Sequence, residues 1–420
     1  MADLRSSLAG ITSPNPFWLA SAPPTNSGYQ VMRAFEAGWG GVVWKTLGTP
    51  ITNVTSRFAG LNYKQNKMLA MNNIELITDR PLVENLREIR ECKKHYPDRA
   101  IVASLMEVCE RDAWHELVKR VQEENIDGFE LNFGCPHGMS ERGMGAAVGQ
   151  HPDLIEAVTS YVKEVARVPV IVKLTPNITD VRVPARAARA GGADAVSMIN
   201  TINSLMGVDI DTWNPVPHVD GKSSHGGYCG PAVKPIALNM VNDCARDPEV
   251  GIPISGIGGV EFWQDAVEFL LLGASNVQVC TAVMHHGFRI IDQLTDGLDN
   301  YLDARNLHSV TELVGAAKNR ITTWENLNLN YKVVAEINQD TCIHCSKCHI
   351  ACEDAAHQCI DRKLVDGLAI LTVDAEHCVG CNLCMMVCPV DECITMVPVD
   401  TGLPPESWKE RSVKATAVSP

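Results

Sequence analysis

The sequence predicts an α/β protein, with a (β/α)8 TIM barrel followed by a small α+β domain that is rich in cysteine. Two observations lead to this prediction. Short apolar runs alternate with amphipathic helical patterns from about residue 15 to about residue 318, and ten of the 16 cysteines lie between Cys342 and Cys393. Near-continuous apolar strands between helices are typical of a parallel sheet that helices cover. Eight such strands within about 300 residues match a barrel.

The eight candidate strands share a nearly continuous apolar character. They span residues 17–21, 41–45, 100–105, 128–132, 170–174, 195–199, 253–256 and 276–280. Between them, residues 152–165 repeat apolar side chains at helical spacing, and residues 261–272 do the same before Gly273. This order of strand and helix is the one that a parallel barrel requires.

Polar side chains decide between a barrel and an open, doubly wound sheet. They stand at or just past the ends of five candidate strands, as Ser21, Lys45, Asn132, Lys173 and the pair Asn200–Thr201. In a barrel the carboxyl ends of all strands meet at one face, where active sites are built. Polar residues from five strands therefore favour the barrel and predict a site at this face.

Two loops at that face are longer than a barrel needs. Residues 133–149 contain glycines at positions 134, 138, 143, 145 and 149, which favours a mobile lid after the fourth strand. Residues 201–235 are rich in Gly, Pro and polar residues and follow the sixth strand. Loops of this length in a compact domain are usually functional.

The cysteines near the C-terminus form two matched runs of the type C-x2-C-x2-C-x3-C. The runs are Cys342, Cys345, Cys348 and Cys352, and then Cys378, Cys381, Cys384 and Cys388 followed by Pro389. This spacing is typical of ferredoxins, in which three cysteines of a run bind one [4Fe–4S] cluster and the fourth reaches the other cluster. Zinc is the alternative, but a four-cysteine zinc site does not use the third and fourth cysteines of each run. Cys359 and Cys393 fall outside both runs and are interpreted as buried thiols.

Composition limits the kinds of partner. A net charge of −14 argues against nucleic acid, because phosphate binding needs a basic surface. No apolar run approaches the length of a membrane span, and the N-terminus does not have the pattern of a signal peptide. Cysteines in metal spacing favour a reducing compartment. These features predict a cytoplasmic enzyme whose partners are a small molecule and another protein.

A cofactor site is predicted beyond strands seven and eight. Gly258, Gly259 and Thr281 stand where TIM barrels commonly hold a phosphate on backbone N–H groups. In a protein that also binds iron–sulfur clusters, we expect the phosphate to belong to FMN, because a flavin accepts electrons one at a time and transfers them in pairs. Lys45 and Lys173, at two strand ends, would then hold negative charge at the N1–O2 edge of the reduced flavin.

Cys135 begins the glycine-rich loop. A single buried cysteine is more often a free thiol than a catalyst. A thiol above a flavin could instead deliver a proton to the substrate. Cys229, in the segment HGGYCG, is the rival on composition alone.

Several segments of the sequence resemble a known family. Residues 130–145, which read ELNFGCPHGMSERGMG, resemble the active-site loop of dihydropyrimidine dehydrogenases. The segments 73–77 (NIELI), 173–177 (KLTPN), 199–201 (INT) and 255–259 (SGIGG) are also similar. The similarity runs from about residue 4 to residue 398 and is greatest to the bacterial PreA-type subunits. These correspond to the C-terminal half of the longer eukaryotic enzyme.

The resemblance implies specific roles. FMN would transfer a hydride to C6 of uracil or thymine, and Cys135 would protonate C5. The residues implied to hold the pyrimidine are Asn73, Glu75, Asn132, Asn200 and Thr201, and those implied to touch the flavin are Ser21, Lys45 and Lys173. Gly134 stands where mammalian relatives have a serine. The two clusters would pass electrons between the FMN and a distant flavin.

That distant flavin is predicted on another chain. No G-x-G-x-x-G opens a helix here, since Glu261 stands where the third glycine should be. We therefore expect a PreT-type partner subunit that carries FAD and the NAD(P)H site, around a homodimeric core within a heterotetramer. The predicted domains are the barrel at 1–318, a linker at 319–335, the ferredoxin-like domain at 336–399 and a flexible tail at 400–420.

Two alternatives stay open. One is a dihydroorotate dehydrogenase or another FMN reductase on the same barrel. Orotate carries a carboxylate, which Glu75 would repel. The other is an electron-transfer module whose barrel is only a scaffold. The polar residues at the barrel mouth and Cys135 count against it.

Overall fold

The computed structural model describes residues 2–63 and 66–417, and it divides the chain into two compact units at Ile321 and Thr322. In the part of the chain that is described, no helix has both the length and the apolar composition needed to cross a bilayer. Each unit is built around its own buried core.

The first unit contains a closed barrel of eight parallel strands in sequential order, which confirms the predicted fold class. The strands are β1 (Phe17–Leu19), β2 (Gly41–Leu47), β3 (Ala100–Leu105), β4 (Gly128–Asn132), β5 (Val170–Lys173), β6 (Ala195–Met198), β7 (Ile254–Ile257) and β8 (Asn276–Val279). The eight principal helices are α1 (Gly28–Ala37), α2 (Leu82–His95), α3 (Arg111–Gln122), α4 (Pro152–Lys163), α5 (Arg182–Ala190), α6 (Lys234–Arg246), α7 (Trp263–Leu272) and α8 (Ile290–Ala304).

Alternation along the strands separates the outside of the barrel from its interior. In β4, Phe129 and Leu131 join the apolar core shared with the helices, whereas Glu130 and Asn132 point inward. The lower end of the interior is filled by apolar side chains, among them Trp18, Val43, Val102 and Ile171. The hairpin of Ser6–Leu8 and Ile11–Ser13 belongs to the same cluster through Leu8 and Ile11. The barrel is therefore closed at the bottom and polar at the top.

A small antiparallel sheet belongs to the loops at the carboxyl-terminal face. Its strands, in order, are Ile202–Ser204, Gly226–Cys229, Asn66–Asn73 and Phe58–Tyr63. The loop after β2 and the loop after β6 thus pair with one another, as in the register of Gly227 with Asn73. The loop after β4 holds a short helix, Ala146–Gly149. Both loops that the sequence marked as long contain regular structure.

The second unit contains two pairs of antiparallel strands. Strands β9 (Lys332–Ile337) and β12 (Ile394–Val399) pair with each other, as do β10 (Ile360–Val365) and β11 (Leu368–Val373). Helix α9 (Lys347–Ala355) contains Cys348 and Cys352 of the first cysteine run, and α10 (Leu383–Val387) contains Cys384 of the second. A further helix is α11 (Trp408–Ala417).

Two predicted boundaries differ from the structure. Strand β9 begins at Lys332, inside the predicted linker, because its residues pair with β12 over the whole strand. The predicted tail contains α11, and Trp408 packs edge to face against Trp324 with ring centroids 5.8 Å apart. The backbone of Leu329 also donates to Glu406 O over 2.8 Å. The part of the tail up to Ala417 thus contacts the segment before β9, and residues 418–420 lie outside the described chain.

Candidate active site and cluster sites

A cavity opens at the carboxyl-terminal face of the barrel and measures about 1150 Å³, including its open mouth. It brings together all twelve residues that the sequence singled out for this site: Ser21, Lys45, Asn73, Glu75, Asn132, Cys135, Lys173, Asn200, Thr201, Gly258, Gly259 and Thr281. They come from the ends of the barrel strands and from the small sheet. A cavity of this size with convergent polar groups is typical of a ligand site.

One end of the cavity is formed by the backbone of two glycines, at positions where a larger residue would not fit. Gly258 and Gly259 have φ values of +130° and +76°, which L-residues rarely adopt. A Cβ atom at Gly258 would lie 2.8 Å from Cβ of Ala237, and one at Gly259 would lie 2.9 Å from Cβ of Lys234. Thr281, on the neighbouring loop, lines the same end. Exposed backbone without side chains fits a phosphate group, as the sequence predicts.

The middle of the cavity carries two lysines, each with its own glutamate. Lys45 forms an ion pair with Glu75, which follows the small sheet. Lys173 Nζ lies 3.6 Å from Oε1 of Glu130, inside the barrel. Both lysines are almost completely buried. Burial of a charge is costly unless the charge is paired, so the two glutamates explain how both lysines can be buried.

The amide side chains form a connected group. Asn132 donates from Nδ2 to Thr46 Oγ1 over 3.0 Å, and its Oδ1 accepts from Asn200 Nδ2 over 3.0 Å. The Oδ1 atom of Asn200 accepts from the backbone N–H of Thr201 over 2.7 Å. Asn73 donates from Nδ2 to the carbonyl of Gly227 over 3.1 Å. Each amide is thereby held in one orientation.

The two rival thiols lie in different parts of the cavity. Cys135 Sγ donates to the carbonyl of His137 over 3.5 Å, and burial raises the pKa of this thiol to about 11 although Lys45 and Lys173 act against the shift. Cys229 Sγ instead accepts from Thr281 Oγ1 over 3.3 Å, at the glycine end, and burial raises its pKa to about 11 as well. Cys135 is therefore the thiol on the side of the lysines.

Several residues of the site were missed at the level of sequence. His137 Nε2 lies 3.1 Å from the carbonyl of Glu75 and so donates to it, and burial lowers the pKa of the imidazole. Cys280 lines the cavity, and burial raises its pKa to about 12. Arg57 Nε lies 3.8 Å from Glu75 Oε1. Position alone could have indicated His137, which is in the quoted loop, and Cys280, which directly follows β8.

In the second unit the eight cysteines of the two runs line two cavities of about 350 and 290 Å³. Cys352 lies with the first three cysteines of the second run, Cys378, Cys381 and Cys384. Cys388 lies with the first three cysteines of the first run, Cys342, Cys345 and Cys348. This exchange of the fourth cysteine is the arrangement that the spacing predicts, and each set of four thiols fits one cubane cluster. Cys359 and Cys393 are buried in the walls of the same two cavities.

Comparison with known proteins agrees with both units. The dihydroorotate dehydrogenase family model matches residues 3–302, and the 4Fe-4S dicluster domain model matches residues 335–396. A DHODH from Eimeria tenella, crystallised in complex with ferulenol, superposes with a TM-score of 0.61 at 19% identity, over 74% of this chain and 88% of that one. At that identity the likeness shows the fold alone.

Two of the relatives in sequence cover more of the chain than the barrel unit alone. The NAD-dependent dihydropyrimidine dehydrogenase subunit PreA of Escherichia coli K12 is 43% identical over 86% of this chain and 87% of its own length. The chloroplastic dihydropyrimidine dehydrogenase (NADP(+)) of Arabidopsis thaliana is 43% identical over 80% and 81%. The catalytic subunit of dihydroorotate dehydrogenase B from Pyrococcus abyssi is 38% identical over 75% and 99%. The chain therefore belongs to the dihydroorotate dehydrogenase family, and within it to the PreA-type dihydropyrimidine dehydrogenases that join the barrel to a 4Fe–4S dicluster domain.

Proposed function

We propose that this chain is the pyrimidine-reducing subunit of a dihydropyrimidine dehydrogenase. It would convert uracil or thymine to the 5,6-dihydro compound, with reduction of the C5–C6 double bond. One observation carries the proposal: a half-buried thiol, Cys135, whose pKa burial raises to about 11, lines the same cavity as five polar side chains suited to a pyrimidine and a glycine cradle suited to a phosphate.

The cofactors can be inferred from the groups that would bind them. FMN would place its phosphate on the backbone at Gly258, Gly259 and Thr281, with Ser21, Lys45 and Lys173 beside its ring. When bound, FMN supplies two-electron chemistry at C6 of the pyrimidine, and the [4Fe–4S] clusters supply electrons one at a time. We propose two clusters, one for each set of four cysteines.

Substrate recognition follows from the bonds that the amides already make. Asn132 and Asn200 use their oxygens within the protein. The Nδ2 group of each also donates one hydrogen bond to a neighbouring side chain, so each has one amide N–H left to donate. These groups suit the carbonyl oxygens of a pyrimidine. Glu75 is a carboxylate and suits a ring N–H, and Asn73 has an oxygen and an N–H that no hydrogen bond to a described residue engages. Thr201 lines the cavity beside Asn200.

Cys135 is the proposed general acid at C5. Its raised pKa keeps the thiol protonated at neutral pH, and this is the form that can donate. Lys45 and Lys173 favour the thiolate that remains after the transfer. Cys135 lines the cavity that would hold the pyrimidine, so the proton at C5 would come from this thiol.

The electrons must come from outside this chain. No dinucleotide-binding fingerprint is present in the sequence, and the relatives carry NAD-dependent or NADP(+) in their names. We propose a partner subunit with FAD and an NAD(P)H site, of the PreT type, in a cytoplasmic heterotetramer with a homodimeric core of this chain.

Dihydroorotate chemistry is the second candidate, and Arg57 is the observation that favours it. The guanidinium group lies 3.8 Å from Glu75 Oε1, and a cation beside Glu75 would reduce the repulsion between this carboxylate and a carboxylate substrate. The 38% identity with the Pyrococcus abyssi subunit agrees with this reading. Only a substrate comparison distinguishes the two candidates.

The decisive experiment is turnover of uracil, thymine and orotate by the purified, iron-loaded protein with a chemical reductant. We expect reduction of uracil and thymine, and little reduction of orotate. NADH alone should fail, and NADH with the partner subunit should succeed. Preference for orotate would replace the pyrimidine assignment. A protein that holds its clusters and turns over none of the three would be an electron carrier.

A further inference from the structure

A carboxylate lies inside the barrel, where apolar side chains usually fill the space. Glu130 is completely buried, and it points inward one layer below Asn132. The interior of a TIM barrel is normally packed with branched apolar residues. A charged group in that layer is costly unless its neighbours compensate it.

The two oxygens of Glu130 have different surroundings. Its Oε2 accepts from Ser197 Oγ over 2.8 Å and from Gln278 Nε2 over 2.9 Å. Gln278 also donates to Ser255 Oγ over 3.1 Å, so side chains from β6, β7 and β8 fix this oxygen. Its Oε1 has no hydrogen-bond partner within the described chain and lies 3.6 Å from Lys173 Nζ. The carboxylate is thus anchored on one side and faces the lysine on the other.

Lys173 and Lys45 differ in how they contact their carboxylate partners. The ammonium group of Lys173 makes no hydrogen bond to any described residue, and Glu130 is the carboxylate beside it. Lys45, in contrast, forms a close pair with Glu75, which lies on the substrate side of the cavity. The two lysines therefore differ: Glu75, the partner of Lys45, lies among the proposed substrate residues, whereas Glu130, the partner of Lys173, lies beneath the site.

We propose that Glu130 is a positioning residue for Lys173, and that through this lysine it sets the reduction potential of the bound flavin. The inference rests on the proposed function, because it requires FMN in this cavity. Glu130 holds the ammonium group at the floor of the cavity. It also offsets part of the positive charge there, which would otherwise favour the negative charge that a flavin gains on reduction.

The test is a redox titration of the flavin in the purified holoenzyme. Glu130→Gln keeps an oxygen for Ser197 and Gln278 and removes the negative charge, so the flavin potential should shift to a more positive value. Lys173→Met should shift it the other way. In the double variant the effect of Glu130→Gln should be much smaller than in the single variant, because the two residues act as a unit.

A matched control is Glu124→Gln. Glu124 is also buried and pairs with Arg90 over 2.6 Å, but Arg90 does not line the cavity whereas Lys173 does, so the flavin potential should not move. Glu130→Asp keeps the charge and shortens the side chain, and a smaller positive shift is expected from the weakened pair.

The outcomes separate the two claims. A wild-type protein that binds no FMN would end the proposed function. An unchanged potential in a flavin-loaded Glu130→Gln variant would overturn the positioning role alone. Equal shifts of the flavin potential by Glu130→Gln in the presence and in the absence of Lys173 would also overturn the positioning role. If both Glu130 variants fail to fold while Glu124→Gln folds, Glu130 is a structural residue and the inference is wrong.

Discussion

Asn200 donates a hydrogen bond from Nδ2 to Oδ1 of Asn132 over 3.0 Å, and the absence of a side chain at Gly134 makes this contact possible. A Cβ atom at position 134 would lie 2.4 Å from Cβ of Asn200 and 2.5 Å from its Nδ2. The backbone N–H of Gly134 donates to the same Oδ1 atom over 3.2 Å. The first residues of the loop after β4 are thereby packed directly against the proposed substrate amides.

The first prediction concerns Gly134→Ser. The added side chain must displace Asn200, which loses its bond to Asn132. Loss of a buried hydrogen bond costs about 1–3 kcal/mol, so we expect KM for uracil to rise about tenfold or more. Flavin content should not change. Gly207→Ser is the control, because nothing lies within 4 Å of a Cβ atom there. An unchanged KM would show that Asn200 does not bind the pyrimidine.

The second prediction separates the two thiols. Cys135→Ala should retain FMN and bind uracil, yet lose turnover by about a hundredfold or more, which is what a positioned acid contributes. Cys229→Ala should remain active, because its thiol contacts Thr281 at the glycine end. Steady-state kinetics together with binding of uracil to the oxidised enzyme would measure both. The opposite pattern would assign the acid to Cys229.

The third prediction follows from the raised pKa of Cys135. A thiol with a pKa of about 11 is protonated below that pH, so the rate of pyrimidine reduction should stay nearly constant from pH 6 to about pH 9 and fall as the pH approaches 11. Oxidation of a dihydropyrimidine needs the thiolate as base, so its rate should rise with pH over the same range. Rate profiles in both directions would check this. A reduction rate that falls near the ordinary thiol pKa would contradict it.

The strand-end residues could be predicted from sequence because the geometry of a barrel leaves little freedom. Once eight strands are recognised, Lys45, Asn132 and Lys173 must meet at one face, and the structure places them there. The exchange of Cys352 and Cys388 was predictable for a similar reason, since the spacing within each run limits which cysteines can reach a common site.

The pairing of charges could not be predicted in this way. The contacts of Glu75 with Lys45 and Arg57 depend on the antiparallel hairpin of Phe58–Tyr63 with Asn66–Asn73 in the loop after β2, and the loop after β6 extends the same sheet. The register of such a sheet is not specified by local pattern. Glu130 was missed although a single charged residue at an inward position of an apolar strand was visible in the sequence.

The fourth prediction tests the glycine cradle. Gly258→Ala introduces a Cβ atom 2.8 Å from Cβ of Ala237 at a backbone conformation that alanine rarely adopts. We expect the loop to shift and FMN to be retained less well, with a lower flavin-to-protein ratio after gel filtration. Iron content should stay the same, because the clusters are bound in the other unit. Gly60→Ala, at an open position, is the control. Normal flavin retention in Gly258→Ala would place the phosphate elsewhere.

The fifth prediction uses pairs of cysteine substitutions to test the exchange of the fourth ligand. Cys352 shares a cavity with Cys381 and not with Cys345, although Cys345 belongs to its own run. The double variant Cys352→Ala with Cys381→Ala should therefore lose one cluster and keep about four irons per chain. Cys352→Ala with Cys345→Ala should damage both sites and lose most of the iron. Iron analysis and the EPR signal of the reduced protein would distinguish the two. The reverse order would show that each run binds its own cluster, and equal iron in both double variants would contradict the exchange.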